Sequence, residues 1–184
     1  VDEPVLLTED EIVALSAVDG RPWPLGLITV GSTADELTQA GLRGIRSLSV
    51  RRLIADSAEG QRRPDPDLSG EVAAFISAEE RVGAHIAPAA NPDVLAGASI
   101  TAAHTTDGWL LDAATADGVH ALRRVSSDEA QTAVVDFVEA AIDEARLGVT
   151  CVLRHGADGE NATVVAERSG WNPNSVKDAF SALD

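Results

Sequence analysis

Between residues 81 and 125 the chain changes from helical to alternating periodicity, and this region limits the possible folds more than any other. Val82, Ala84 and Ile86 alternate with Arg81, Gly83 and His85, and three further short segments near 96–104, 108–114 and 119–125 read as strands. Asn91-Pro92, Asp107-Gly108 and Asp117-Gly118 separate them. Asp-Gly pairs supply the positive φ that tight hairpins need, so these strands are expected to pair antiparallel in sequence order. A four-stranded meander cannot stand alone with one face bare, and the flanking segments supply helices to cover it.

Those helices carry their own start signals. Thr8-Glu9-Asp10-Glu11, Thr33 to Glu36 and Ser126 to Glu129 are capping boxes, in which the hydroxyl and the carboxylate satisfy each other's orphan amides. Asp65-Pro66 opens another helix, with Asp65 as cap, Asp67 as a first-turn anion and Leu68, Val72, Phe75 and Ile76 on one apolar face. After Ser126 the stripe Ala130, Val134, Phe137, Ala141 and Ala145 predicts a long helix with Phe137 at the centre of its buried face. Residues 41–56 read as helix at the start and extended at the end, and 57–67 as a polar loop. The tail predicts a hairpin from 149–154 and 162–167, then a helix over 174–183. No linker or repeat divides the chain, so the expectation for 1–184 is a single α+β domain: a central antiparallel meander with flanking helices, and a C-terminal hairpin plus helix over 149–184.

Charge narrows the partners. A net charge of −16 repels phosphate backbones and anionic membrane surfaces. One cysteine cannot form an internal disulfide, and the opening VDEPVLLTEDE has neither a basic segment nor a long apolar run, so cytoplasm is the expected location. Three Phe, three Trp and no Tyr leave few anchors for base stacking or deep ligand pockets.

No phosphate-binding glycine loop, nucleophile elbow or His-Glu-x-x-His pattern is present, and no catalytic residue, metal or cofactor is expected. Cys151 with His155 reads as a buried small residue beside a separate imidazole, not as a nucleophile and its base. His85, His104 and His120 fall on strands of one meander, where converging imidazoles would suit zinc. However, His85 alternates with the apolar residues of its strand while His120 shares parity with Leu122, which predicts opposite faces. Arg43, Arg46, Arg51, Arg52, Arg62 and Arg63 gather six of fourteen basic residues in one region; with no aromatic among them they read as a solvated face balanced by Asp56, Glu59 and Asp65. The segment Ala166-ERS-Gly170-WNPNS-Val176 has helix-turn-helix spacing, which supports an alternative reading as a nucleic-acid-associated regulator. A strand ending at Arg168, a turn through Gly170 and Pro173 and an ordinary terminal helix account for the same residues, and Lys177 is the one cation on that helix.

Taken together, LTEDEIVALSAVDGRPWPLGL, AGLRGIRSLSVRRLI, PDLSGEVAAFISAEERVGAHI and DGWLLDAATADGVHALRRV with the helix after it resemble the EspG family, the cytosolic chaperones of type VII (ESX) secretion. The likeness spans residues 6–145 as a pattern of elements, beginning with a capped helix that leads to a Pro-rich strand entry. It implies an α+β fold that binds and masks an aggregation-prone tip of secretion substrates, the PE–PPE pairs, with no cofactor and no catalytic residue. Family members usually carry two related halves, whereas the second here is a stub. No short motif defines the family's contact surface, so the resemblance transfers no binding residue.

Overall fold

The computed structural model describes residues 3–17, 20–56, 62–144, 148–157, 161–165 and 171–183. Its centre is an antiparallel sheet of seven strands: β1 (Val5–Thr8), β4 (Glu80–Pro88), β5 (Ser99–Thr105), β6 (Gly108–Ala114), β7 (Val119–Val125), β8 (Val149–Ala157) and β9 (Asn161–Val165). They are ordered β1-β7-β6-β5-β4-β8-β9. The expected meander β4–β7 is therefore present, but it is the middle of a wider sheet. β1 extends it at one edge by pairing Leu7 with His120, and the tail hairpin extends it at the other, with β8 along the whole of β4.

Helices cover both faces. On one side lie α1 (Glu9–Ser16) and α3 (Pro66–Ser77), with α2 (Ala34–Val50) packed outside α1; on the other lie α4 (Ser127–Asp143) and α5 (Asn174–Ser181). All three capping boxes form, at Thr8/Glu11, Thr33/Glu36 and Ser126/Glu129, and Asp65 caps α3 with Pro66 in its first turn. Residues 41–50 are helical and 54–56 extended, as expected. The expected loop over 57–67 is interrupted by β3 (Arg62–Pro64), which pairs with β2 (Ile54–Asp56) in a small ribbon. Among the described residues no helix is long and apolar enough to cross a membrane.

A sheet covered on both faces has two cores. Toward α4 and α5, Val82, Ala84, Ile100, Ala102, Trp109, Leu111, Cys151 and Leu153 meet Ala130, Val134, Val138, Val176 and Phe180. Toward α1 and α3, Leu7, Ala103, Leu110 and Leu122 meet Ile12, Leu15, Trp23, Leu68, Val72 and Phe75. The scarce aromatics are shared out: Trp23 stacks on Phe75 in one core and Trp109 packs against Phe180 in the other, each at 4.7 Å between ring centres. On α4 the fully buried stripe is Ala130, Val134 and Val138, spaced by four, so the helix is rotated from the expected setting. Phe137 flanks that stripe and is partly buried. Ala145, expected on the same face, lies outside the described residues.

Candidate functional site

Helix α2 has seventeen residues, of which Ala40, Gly44 and Leu48 are buried; their spacing of four lays one narrow seam along α1. The seam is unusually close. A Cβ on Gly44 would stand 2.0 Å from the Asp10 carbonyl oxygen and 2.9 Å from Ala14 Cβ, so only glycine allows the two helices to touch there. Polar contacts then fix the helix in rotation. Arg43 donates two hydrogen bonds to the Asp10 carboxylate, both of 2.7 Å. Arg51 donates to Glu11 at 2.6 Å and the Ser47 hydroxyl donates to Glu11 at 2.7 Å. Glu11 is fully buried, and these donors satisfy its carboxylate oxygens.

The fixed rotation turns an apolar ridge to solvent. Leu42 and Ile45, one turn apart, are each 47% exposed and lie about 130° round the helix from the buried seam. Val50 at the end of the helix is 84% exposed. Two glycines on α2 test this account. Gly44→Ala is expected to destabilise the protein by about 1–3 kcal/mol, because backbone atoms cannot yield as side chains do. Gly41→Ala meets only Val13 Cγ1 at 3.8 Å and gains helix propensity, so it should be neutral or stabilising by up to about 1 kcal/mol. Urea midpoints of the two variants decide it; similar midpoints would mean that α2 does not sit on α1 at this distance.

A polar cluster lies beneath α1. Glu9, Asp112 and His120 are all buried. The Glu9 carboxylate accepts the backbone N–H of Ile28 at 2.6 Å and both the N–H and the hydroxyl of Thr29. His120 places Nδ1 2.8 Å from Asp112 and Nε2 3.8 Å from Glu9, with Trp23 edge-on at 5.6 Å. For His120, burial alone would lower the pKa, but the bond to Asp112 and the nearby Glu9 outweigh it and raise it to about 9. For Glu9, burial opposes ionisation, and the nearby His120 together with the hydrogen bonds from Thr29 and Ile28 overcomes it to hold the pKa at about 2. The cluster is thus an ion pair that ties segment 27–29 to the sheet. The Pro-rich strand entry that the resemblance implied after α1 is not a strand: residues 20–33 are irregular, and the amides at 28 and 29 are spent on Glu9.

The three histidines are placed differently from the sequence expectation. His85 and His120 share a face, because the register runs His85–Ser99–Ala114–His120 straight across β4 to β7. The prediction of opposite faces assumed that apolar parity marks a single inside, which fails when both faces are buried. Three strand spacings, about 14 Å, still separate the pair. His85 is lowered in pKa by burial and bonds the Pro92 carbonyl at 3.1 Å. His104 lies on the other face, stacked on Trp109 at 4.7 Å. Among the described residues no group of three or more His, Cys, Asp or Glu is placed to hold a metal ion. At the Glu9–His120–Asp112 cluster the two carboxylates address opposite nitrogens of one ring and do not converge.

Cys151 is buried and burial pushes its thiol up to about 12, while His155 is four residues along the same strand, about 13 Å away. Of the arginine group, Arg43 and Arg51 find their carboxylates on α1, at Asp10 and Glu11, and not in the neighbouring loop. Glu59 lies outside the described residues, and Asp65 serves as the α3 cap. At the helix-turn-helix spacing, residues 161–165 form β9 paired to β8, where the first helix of such a motif would have to begin; 166–170 lie outside the described residues. α5 turns Val176, Ala179 and Phe180 into the core. The buried cluster escaped sequence reading, although Asp112 inside the apolar run Trp109-LLDA-Ala114 was a signal: a carboxylate amid apolar strand neighbours requires a partner.

No known protein-family model matches the chain, and no curated protein matches it.

Proposed function

We propose that this domain acts by binding another protein, without catalysis, as a cytoplasmic chaperone or adaptor for type VII secretion substrates of the PE–PPE kind. The observation that supports the reading best is the ridge on α2. A helix held this firmly, with two adjacent large apolar side chains turned to water, carries surface that contributes nothing to its own fold. An apolar tip on a substrate pair is the complementary chemistry: it would bury Leu42 and Ile45 and be shielded from self-association. The reading without catalysis is supported by Cys151, which is buried and holds its proton.

The test is a titration of the domain with a purified PE–PPE pair, followed by calorimetry and size exclusion. Complex formation is expected, and Leu42→Glu with Ile45→Glu is expected to weaken it at least about tenfold, since a charge at each centre of an apolar contact is costly. Because both side chains face solvent, the double variant should melt with the unaltered protein. Absence of any complex contradicts the protein-binding reading. A complex indifferent to both substitutions contradicts the placement on α2.

A further inference from the structure

A cleft of about 500 Å³ opens on the α1/α3 side of the sheet, between residues 21–25, the end of α3 and strands β4, β5 and β8. Its charge is opposite to that of the molecule. Among the described residues, Arg21, Arg81 and Arg154 line it with one acid, Glu79, in a chain of net charge −16.

The backbone shapes the floor. Gly83, Thr101 and Arg154 lie in one row across β4, β5 and β8. A Cβ at Gly83 would come 2.5 Å from the Ile100 carbonyl oxygen, so the middle of the row is bare and the cleft gains its depth there. Thr101, itself buried, lines the cleft beside that gap and offers a hydroxyl donor. Arg154 gives one of its five N–H groups to Asp93 at 2.7 Å. Asp93 is 82% exposed, so the pair is held in water, and an anion in the cleft can compete for the guanidinium. Arg81 is buried, and its Nη2 donates to the Phe75 and Ile76 carbonyls at 3.2 and 2.8 Å, which orients its charge at the C-terminal end of α3. Trp23 closes the opposite wall, held by its stack on Phe75. Rigid walls, one hydroxyl and a cluster of guanidinium groups are the features that recognise carboxylate or phosphate oxygens.

We infer that this cleft binds a small oxyanion, a carboxylate or phosphate compound of metabolite size, through Arg154, Arg81, Arg21 and Thr101. The site shares no residue with the α2 ridge and stands or falls independently of the protein-binding reading.

Isothermal titration with two probes, sodium phosphate and sodium succinate, tests it. Saturable one-to-one binding of at least one probe is expected; phosphate alone assigns phosphoryl ligands and succinate alone assigns carboxylates. Arg154→Gln should weaken that binding about tenfold or more, as expected for loss of a charge-assisted hydrogen bond. Thr101→Val should weaken it several-fold, and Arg46→Gln on α2 should leave it unchanged. If Arg154→Gln lowers the melting temperature, Thr101→Val alone decides. No saturable heat with either probe, or equal binding by the unaltered protein and the cleft variants, overturns the assignment.

Discussion

Phe75→Ala is expected to lower the unfolding free energy by about 3–5 kcal/mol, and Phe137→Ala by distinctly less. Phe75 is 0% exposed on the inner face of α3, stacked on Trp23 and surrounded by the residues that join α1, α3 and the sheet. With few aromatics in the whole chain, neighbours such as Leu7, Ile12 and Val72 are too small to fill the space a lost ring leaves. The stack on Trp23 would go with it, and Trp23 helps to hold residues 20–29 over the sheet. Phe137 is on the flank of α4 and keeps part of its ring in water in either case. Against a typical total of about 5–15 kcal/mol, the first variant should be marginal and the second a well-folded protein. Urea unfolding followed by circular dichroism checks both. Equal losses would mean that α4 presents Phe137, not Val138, to the sheet.

Glu9→Gln is expected to cost a comparable amount, about 3–5 kcal/mol, because it leaves a buried cation facing a neutral amide. The two carboxylate oxygens of Glu9 accept from the N–H groups of Ile28 and Thr29, and an amide can offer only one oxygen to them. Its NH₂ would then confront an N–H donor, and His120 would lose an anion. The cluster also sets a pH window. His120 has its folded pKa raised from 6.5 to about 9, so the stability it contributes is complete below about 6.5 and is lost as pH rises through about 9. Glu9 has its folded pKa lowered from 4.5 to about 2, so its contribution is complete above about 4.5 and is lost as pH falls towards about 2. The melting temperature should therefore be highest between about pH 4.5 and 6.5, as far as this cluster governs it. In Glu9→Gln the fall on the alkaline side should be smaller and should end at a lower pH, since one of the two anions that raise His120 is gone. Melting curves from pH 4 to 10 on both proteins measure this; identical alkaline limbs would show that the pair does not form.

Local chemistry made much of the fold legible. Three capping boxes, the Asp65-Pro66 start and the Asp-Gly turns are decided within a few residues, and each placed its element correctly. What depends on distant pairing was not legible. β1 is four residues long and ends on the cap of α1, and its place beside β7 rests on contacts with residues 119–122. β8 reads as half of a hairpin, with nothing local to say that it lies against β4. The histidine faces were misjudged for a related reason: alternation gives parity within one strand, but a sheet with two cores has no single apolar side. At the candidate sites the same division holds. Arg43, Arg51 and Gly44 are visible in the sequence as charges and a helix glycine, whereas their partners, Asp10 and Glu11, stand some thirty to forty residues earlier. The exposed ridge depended on knowing which side of α2 was already taken.

The protein-binding account is tested most directly by methyl NMR of the domain, alone and with a purified PE–PPE pair. The account predicts that the Leu42 and Ile45 methyl signals shift on binding while those of the core residues Leu110 and Leu122 do not. Unmoved Leu42 and Ile45 signals in a formed complex, or no change anywhere at saturating partner, would contradict it.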